Sequence, residues 1–155
     1  NKKPTTVGAC TGAVGGLVAI TPAAGSTDIL GAFAIGIITT IICFIMVAVI
    51  KPKFKYDDAL DAFGVHGMGG IIGSILTGVF ATRCITGEGG AEGALYGDWH
   101  QLWVQTVATL VSIAFSAVVT YILYVLVDKT IGMRVCRRVE EEGLDIYEHG
   151  ESAYN

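Results

Sequence analysis

The stretch "AFAIGIITTIICFIMVAVI", residues 32–50, decides the fold class. It carries no charged side chain, and its apolar residues do not alternate with polar ones as they do in the strands of a membrane barrel. A segment in lipid must satisfy its own backbone hydrogen bonds, which leaves the helix as the structure that fits this run. About 20 helical residues cross a hydrocarbon core of roughly 30 Å. The sequence therefore predicts a transmembrane helix over residues 29–50.

Three more segments are long and apolar enough to cross a membrane, namely residues 5–25, 58–81 and 100–128. Hydrophobic residues make up 52% of the 155 residues and charged residues only 15%, and the mean hydropathy of +0.61 is above that of soluble globular domains. We therefore predict an all-α membrane protein. Its four transmembrane helices fall within residues 1–130, and the polar residues 131–155 form a cytoplasmic C-terminal region.

The cationic residues indicate how these helices are oriented. Arg83 stands alone in its loop, whereas the other cationic residues fall in three clusters that four crossings place on one side of the membrane. Basic clusters mark the cytoplasmic side, so we predict a multi-pass protein of the plasma or inner membrane with a cytoplasmic C-terminus. The clusters are Lys2 and Lys3, then Lys51, Lys53 and Lys55, and finally Lys129, Arg134, Arg137 and Arg138.

The sequence contains no motif for a cofactor or a metal. Its four cysteines lack metal-ligand spacing, and it has neither a nucleotide-binding glycine loop nor a helical zinc motif. We therefore predict no cofactor, no metal site and no nucleic-acid partner. Because the chain opens on Asn1 without an initiator methionine, we interpret it as the C-terminal portion of a longer protein.

Glycine accounts for 21 residues, and in two segments its spacing predicts close helix packing. Gly8, Gly12 and Gly16 form two overlapping G-x-x-x-G units, and small residues at this spacing let membrane helices approach each other. The segment over 58–81 carries a second set of small residues, Gly69, Gly70 and Gly73. The segment over 29–50 is bulky and apolar nearly all round, so we expect it to face lipid.

His66 lies in "DDALDAFGVHGMGGIIGSILTGVF", residues 57–80, where no other ionisable side chain follows Asp61. On an α-helix that begins at Asp58, which can cap it, His66 is roughly 12 Å from the start and near the bilayer centre. Ionisable groups at that depth usually face the bundle interior or a pathway, although a hydrogen bond to a neighbouring helix is the alternative. The helical face of His66 consists of small residues, which are Ala59, Ala62, Gly69, Gly70, Gly73 and Thr77.

Three stretches resemble the ammonium transporter family, the Amt/Mep proteins related to Rhesus glycoproteins. They are "GAVGGLVAITPAAG" (12–25), "DDALDAFGVHGMGGIIGSILTGVFA" (57–81) and "GLDIYEHGESAYN" (143–155). The resemblance implies that the chain supplies the last four helices of an eleven-helix protomer. It also implies a homotrimer in the lipid bilayer in which each protomer has a narrow hydrophobic pore for ammonium or ammonia.

The same resemblance implies roles for individual residues. His66 matches the second of two paired pore histidines, Ala62 matches a pore-lining position, and Thr21 lies near the pore. Asp58 and Asp61 match structural positions at the cytoplasmic end of the helix. The partner histidine belongs to helices that this chain does not contain. In the cytoplasmic tail we expect Arg134, Gly143 and Asp145 to dock against the inner face, where a PII signalling protein is a possible regulatory partner.

Ammonium transport is the function that these observations predict, with three alternatives left open. A Rhesus-type neutral ammonia channel would share the pore but show no voltage dependence. An ammonium sensor with the same fold is compatible with every residue named above. An intramembrane enzyme would use Asp58, Asp61 and His66 as acid and base, but no nucleophile motif accompanies them, and we expect no enzymatic activity.

Overall fold

The computed structural model describes residues 4–151, and in that part of the chain all regular secondary structure is helical. The helices are α1 (Thr6–Ile20), α2 (Ile29–Ile45), α3 (Lys51–Phe54), α4 (Met68–Phe80), α5 (Arg83–Thr86), α6 (Trp99–Thr130), α7 (Arg137–Glu142) and α8 (Leu144–His149). Two π-helical segments, Met46–Ile50 and Ala62–Gly67, and two 3₁₀ turns, Thr21–Ala23 and Ala94–Tyr96, complete them. The described residues do not include Asn1, Lys2, Lys3 or residues 152–155, on which some of the predictions above rest.

Four of these helical stretches are long and apolar enough to cross a membrane, namely Thr6–Ala23, Ile29–Phe54, Ala62–Phe80 and Trp99–Thr130. The prediction of an all-α membrane protein is therefore confirmed. Two boundaries differ from the predicted ones by four residues, and the others by no more than two. The second stretch continues through a π-helical segment to Phe54, and the third begins at Ala62 and not at Asp58. Residues 58–61 form a turn in which the Asp61 amide donates to the Asp58 carbonyl at 3.1 Å.

The chain divides into two compact units, with the boundary at Val111 and Ser112 inside α6. In the first unit, α2 packs against both α1 and α4. The expectation that this second segment faces lipid is wrong for one side of it, because a stripe of residues four apart is buried there. That stripe consists of Gly31, Ile35, Thr39 and Cys43, whereas the opposite side exposes large apolar residues such as Phe33 and Phe44.

Glycine determines how closely α1 and α4 approach each other. A Cβ atom placed on Gly73 would overlap the backbone carbonyl of Ala19, and one on Gly69 would lie 3.1 Å from a methyl carbon of Val18. Contact this close between backbones is possible only where a side chain is missing. The α1–α4 interface is therefore built on the absence of Cβ atoms in α4.

The glycines of α1 face a different neighbour. Cβ atoms on Gly12 and Gly16 would both lie within 4 Å of Thr40 on α2, and the Thr40 hydroxyl lies 3.5 Å from the Gly12 carbonyl. Gly8 has only its own helix cap, Thr5, nearby, and an added Cβ on Gly70 would meet nothing within 4 Å among the described residues. Of these predicted packing glycines, Gly12 and Gly16 therefore lie at a contact between helices, whereas Gly8 and Gly70 do not.

The loop between α1 and α2 is hydrogen-bonded to the C-terminal end of α4 and the residues that follow it. Thr82 donates its amide to the Ser26 carbonyl at 2.8 Å, and the Thr27 hydroxyl donates to the Phe80 carbonyl at 3.1 Å. Gly93 closes the following loop by donating to the Ala81 carbonyl at 2.8 Å. Because backbone groups at the end of a membrane helix must find partners, these bonds fix this end of the bundle.

The second unit contains the end of α6 and the short helices α7 and α8. Arg134 holds Glu140 with two hydrogen bonds of 2.6 and 3.0 Å, and this lowers the pKa of the Glu140 carboxyl. The contact therefore stabilises this unit above the ordinary carboxyl pKa and is lost as the pH falls through the lowered value. Arg137–Glu141 and Arg138–Glu142 add ion pairs of 2.8 Å along α7.

Candidate functional site

His66 lies in the π-helical segment Ala62–Gly67 and not in an ordinary α-helix. The amide of Met68 donates to the carbonyl of Phe63, five residues back, so this turn holds one more residue than an α-turn. The predicted helical face, which assumed 3.6 residues per turn, is therefore wrong across this segment. Gly69, Gly73 and Thr77 are buried, whereas His66 is exposed.

The start of the π-helical segment is held by Asp58. Its carboxylate oxygens accept hydrogen bonds from the amides of Ala62 at 2.8 Å and Phe63 at 2.9 Å, and the Gly64 amide lies 3.4 Å away. The first amides of a helix lack partners within it, and an anionic acceptor stabilises them. Asp58 therefore caps the segment from within the preceding turn.

Asp61 and Lys51 form the second contact at this end. The Lys51 ammonium lies 2.5 Å from an Asp61 carboxylate oxygen and 2.6 Å from the Asp58 carbonyl oxygen. Both side chains are largely buried, with 27% and 26% of their surface exposed. Asp61 adopts a left-handed backbone conformation with φ of +54°, which is uncommon for a residue other than glycine. The signal for this contact in the sequence is a lysine near the end of one span, just before an acidic turn.

The depth of His66 follows from its neighbour Val65. The Cys43 thiol donates to the Val65 carbonyl over 3.7 Å, and a Cβ on Gly15 would lie 3.9 Å from a Val65 methyl carbon. Gly15 and Cys43 both lie near the middle of their own apolar stretches, Thr6–Ala23 and Ile29–Phe54. Val65, and with it His66, is therefore level with the middle of the neighbouring helices even though its own helix begins only at Ala62.

The imidazole of His66 points away from the packed interior of this unit. It is exposed and makes no hydrogen bond to any residue in the range 4–151. Ala62, one turn earlier, is also exposed, and Gly70, one turn later, has open space where a side chain would be. Ala62, His66 and Gly70 thus form an open strip of small residues around one imidazole, which we call the histidine strip.

The remaining predicted site residues lie elsewhere. Thr21 is exposed at the end of α1, where its hydroxyl donates to the Leu17 carbonyl at 2.8 Å. Because Ala19 is level with Gly73, Thr21 lies farther along the bundle than His66. In the second unit, Gly143 links α7 to α8 with φ of +100°, and Asp145 lies in the first turn of α8. The structure therefore brings Ala62 next to His66 but does not bring Thr21 to the same level.

A cavity of about 370 Å³ lies between α1 and α2. Its lining is mostly apolar, with Gly12 and Gly15 on one side, Thr40 and Phe44 on the other, and the Asp61 carboxylate at one edge. His66 does not line it. Besides Asp61, which Lys51 pairs with, its polar lining groups are the hydroxyls of Thr5, Thr11 and Thr40 and the Cys43 thiol. Thr11, Thr40 and Cys43 already donate to backbone carbonyls, so the cavity offers few free groups for a polar molecule.

Comparison of the structure with solved proteins shows what this arrangement is similar to. Mep2 of Saccharomyces cerevisiae superimposes with a TM-score of 0.79 and 34% sequence identity over 89% of this chain and 32% of Mep2. Mep2 of Candida albicans gives a TM-score of 0.79 and 33% identity over 96% of this chain and 34% of its own. The likeness therefore extends over nearly all of the chain.

Sequence comparison gives the same result. Ammonium transporters of Aquifex aeolicus and Bacillus subtilis are each 47% identical over 99% of this chain. The chain spans only about a third of the length of these relatives, 35% and 38%. Residues 1–154 match the Ammonium Transporter Family. A match of this extent, together with the shared fold, shows that the chain belongs to the ammonium transporter family.

Proposed function

We propose that this chain supplies one wall of a path that conducts ammonium or ammonia across the membrane. The observation that carries the proposal is the histidine strip, in which one imidazole faces open space level with the middle of the neighbouring helices. Family membership supports it, because the relatives from Aquifex aeolicus and Bacillus subtilis are named ammonium transporters. The rest of the protein supplies the opposite wall and the first of two paired histidines, of which His66 is the second.

The chemistry of the strip suits ammonia better than a bare cation. A charge inside an apolar membrane path is costly, so ammonium transfers its proton to water at the mouth of the path and passes the strip as ammonia. A neutral imidazole has one nitrogen that donates and one that accepts, and both are free among the described residues of this chain. Ammonia has three N–H groups and one lone pair. It can therefore accept a hydrogen bond from one imidazole nitrogen and donate one to the other.

Catalysis is less well supported than transport. An acid–base enzyme would need Asp58 and Asp61 to be available, yet Asp58 accepts from backbone amides and Asp61 pairs with Lys51. Neither carboxylate is therefore directed to the histidine strip. A sensor that uses the same fold remains a second candidate, because binding without flux would need the same strip.

Flux through the full-length protein in proteoliposomes is the experiment that tests the proposal. An inward ammonium gradient should produce rapid uptake that potassium at equal concentration does not support. A current that follows the applied voltage would indicate net charge transfer, and flux without voltage dependence would indicate a Rhesus-type neutral channel. Specific binding of ammonium with flux no higher than in empty liposomes would overturn transport in favour of sensing.

We further propose a homotrimer in the plasma or inner membrane, with the cytoplasmic C-terminal region over residues 131–155 acting as a regulator. Arg134, Gly143 and Asp145 are the residues that we propose for docking against the inner face or a PII signalling protein. The support is that α7 and α8 are held in a defined arrangement by ion pairs and by the turn at Gly143. A solvated tail in an extended conformation would not contain these ion pairs and this turn.

Replacement of Gly143 by valine should disrupt this region without removing it. The backbone at Gly143, with φ of +100° and ψ of +129°, is accessible in practice only to glycine, so valine costs about 1–3 kcal/mol there. We expect ammonium flux and its response to a PII protein to change severalfold, while the trimer remains intact in detergent. The exposed substitution Glu148→Gln serves as a control and should change neither. Unaltered flux and regulation in Gly143→Val would count against a regulatory tail.

A further inference from the structure

Lys51 contacts the turn that precedes the segment of His66, and the proposed function does not include it. It lies near the end of the second apolar stretch, Ile29–Phe54. Its ammonium group contacts both ends of the turn that precedes the π-helical segment Ala62–Gly67. These two contacts are to the Asp58 carbonyl and the Asp61 carboxylate. We propose that Lys51 is a positioning residue, which sets the direction of the His66 imidazole by fixing this turn. The proposal rests on the proposed function of the histidine strip and assigns a further residue to it.

The first step of the argument is the continuous series of contacts from the lysine to the histidine. Lys51 holds Asp58 and Asp61 at either end of the turn, and the carboxylate of Asp58 in turn holds the amides of Ala62 and Phe63. His66 follows only one turn later. The ammonium group is therefore two contacts away from the backbone that orients the imidazole.

The second step is the register that these contacts select. A π-turn contains one residue more than an α-turn, and one residue corresponds to about 100° of rotation about a helix axis. If the turn relaxed to α-helical register, His66 would rotate by roughly that angle relative to the buried side of α4. The imidazole would then leave the open strip, so the π-helical register is a condition for the proposed role of His66.

The third step is the partner segment that carries the lysine. Lys51 directly follows the π-helical segment Met46–Ile50, and the two π-helical segments pack against each other where a Cβ on Gly64 would lie 2.9 Å from a Val47 methyl carbon. Tyr56 and Phe63 add an edge-to-face ring contact with centroids 6.0 Å apart. Because the packing at Gly64 and the ion pair at Asp61 act on the same short segment, neither can shift without disturbing the other.

Substitution of Lys51 by methionine in the full-length protein tests this proposal. Methionine keeps much of the side-chain length and apolar stem but cannot donate to Asp58 or pair with Asp61. We expect ammonium flux in proteoliposomes to fall roughly tenfold, the size expected from loss of a charged hydrogen bond, and ammonium-to-potassium selectivity to fall with it. Lys51→Arg should retain most of both properties, because arginine still presents donors to the two oxygens.

Lys53→Met is the matched control, since Lys53 lies in the same short helix, is exposed and makes no ion pair among the described residues. It should leave flux and selectivity unchanged. Asp61→Asn should reproduce most of the effect of Lys51→Met, which also loses the bond to the Asp58 carbonyl. The double variant should be no worse than Lys51→Met alone, because both substitutions remove the same ion pair. This pattern shows that the two residues act through one contact, and the selectivity of the folded variants separates positioning from a general loss of stability.

His66→Ala in the same assay separates this proposal from the proposed function. If His66→Ala alters selectivity while folded Lys51→Met and Asp61→Asn do not, Lys51 has no positioning role and the transport path stands. If none of the three alters selectivity, the assignment of His66 to the path fails. If neither Lys51→Met nor Asp61→Asn yields folded protein, the contact is purely structural and the proposal is also overturned.

Discussion

Replacing His66 by phenylalanine should abolish ammonium flux while leaving a folded, assembled protein. The imidazole lies between Ala62 and Gly70 on an open strip, and an aromatic ring without polar atoms would occupy the same space without offering a donor or an acceptor. No residue of the described chain hydrogen-bonds the imidazole, so the change leaves no partner unsatisfied within that part of the protein. We expect flux at the level of protein-free liposomes, measured by ammonium uptake.

Alanine and glutamate at the same position separate the effect of side-chain size from the effect of the polar groups. Alanine should widen the strip, admit water and lower discrimination against potassium. Glutamate supplies a group that binds a cation or passes a proton, so it should retain part of the flux with altered selectivity. The measurement is the ratio of ammonium to potassium flux in proteoliposomes, with the thermal stability of the detergent-solubilised protein recorded for each variant.

Phenylalanine at Ile41 is the matched control, because Ile41 is exposed on the face of α2 opposite its buried stripe. Ile41→Phe should leave flux and selectivity unchanged. If His66 only made a structural hydrogen bond, His66→Ala would instead lower stability by about 0.6 kcal/mol, a typical value for polar contacts within membranes, and leave selectivity alone. Wild-type selectivity in both the alanine and the glutamate variants would remove His66 from the path.

The four apolar stretches could be predicted from the sequence because length and hydropathy alone determine them. Residues 32–50 carry no charge, and in lipid such a run has only one way to satisfy its backbone. Which side of the second stretch is buried could not be predicted from length and hydropathy. Ile35 is as apolar as Ile37, yet Ile35 is buried and Ile37 is exposed, because only the positions of α1 and α4 distinguish them.

The candidate site was predictable in its central residue but not in its geometry. A histidine in an otherwise uncharged membrane segment is conspicuous, since ionisable groups there need a reason. The π-helical register depends instead on tertiary contacts: the carboxylate of Asp58 on the first amides, the lysine at Asp61, and the packing of Gly64 against Val47. Of these contacts, only the lysine just before an acidic turn has a signal in the sequence, and that signal does not specify a helical register. A regular α-helix starting at Asp58 was therefore the wrong expectation.

Gly73→Ala should destabilise the protein more than the addition of a single methyl group suggests. A Cβ at this position would overlap the carbonyl oxygen, carbonyl carbon and Cα of Ala19, which are backbone atoms and cannot turn aside as a side chain would. Glycine-to-alanine changes inside a helix ordinarily stabilise by about 0.5–1 kcal/mol, whereas overpacking of an interior costs about 1–3 kcal/mol. Overpacking should prevail, because relief requires that α4 move away from α1 along its length.

Gly36→Ala is the control that isolates this clash. Gly36 lies inside α2, and a Cβ there would meet nothing within 4 Å among the described residues, so only the gain in helix propensity should act. The two variants should therefore shift the midpoint of thermal unfolding in opposite directions, downward for Gly73→Ala and slightly upward for Gly36→Ala. A larger residue, as in Gly73→Val, should lower the midpoint further. Equal midpoints for the two alanine variants would mean that α1 and α4 do not approach each other through Gly73.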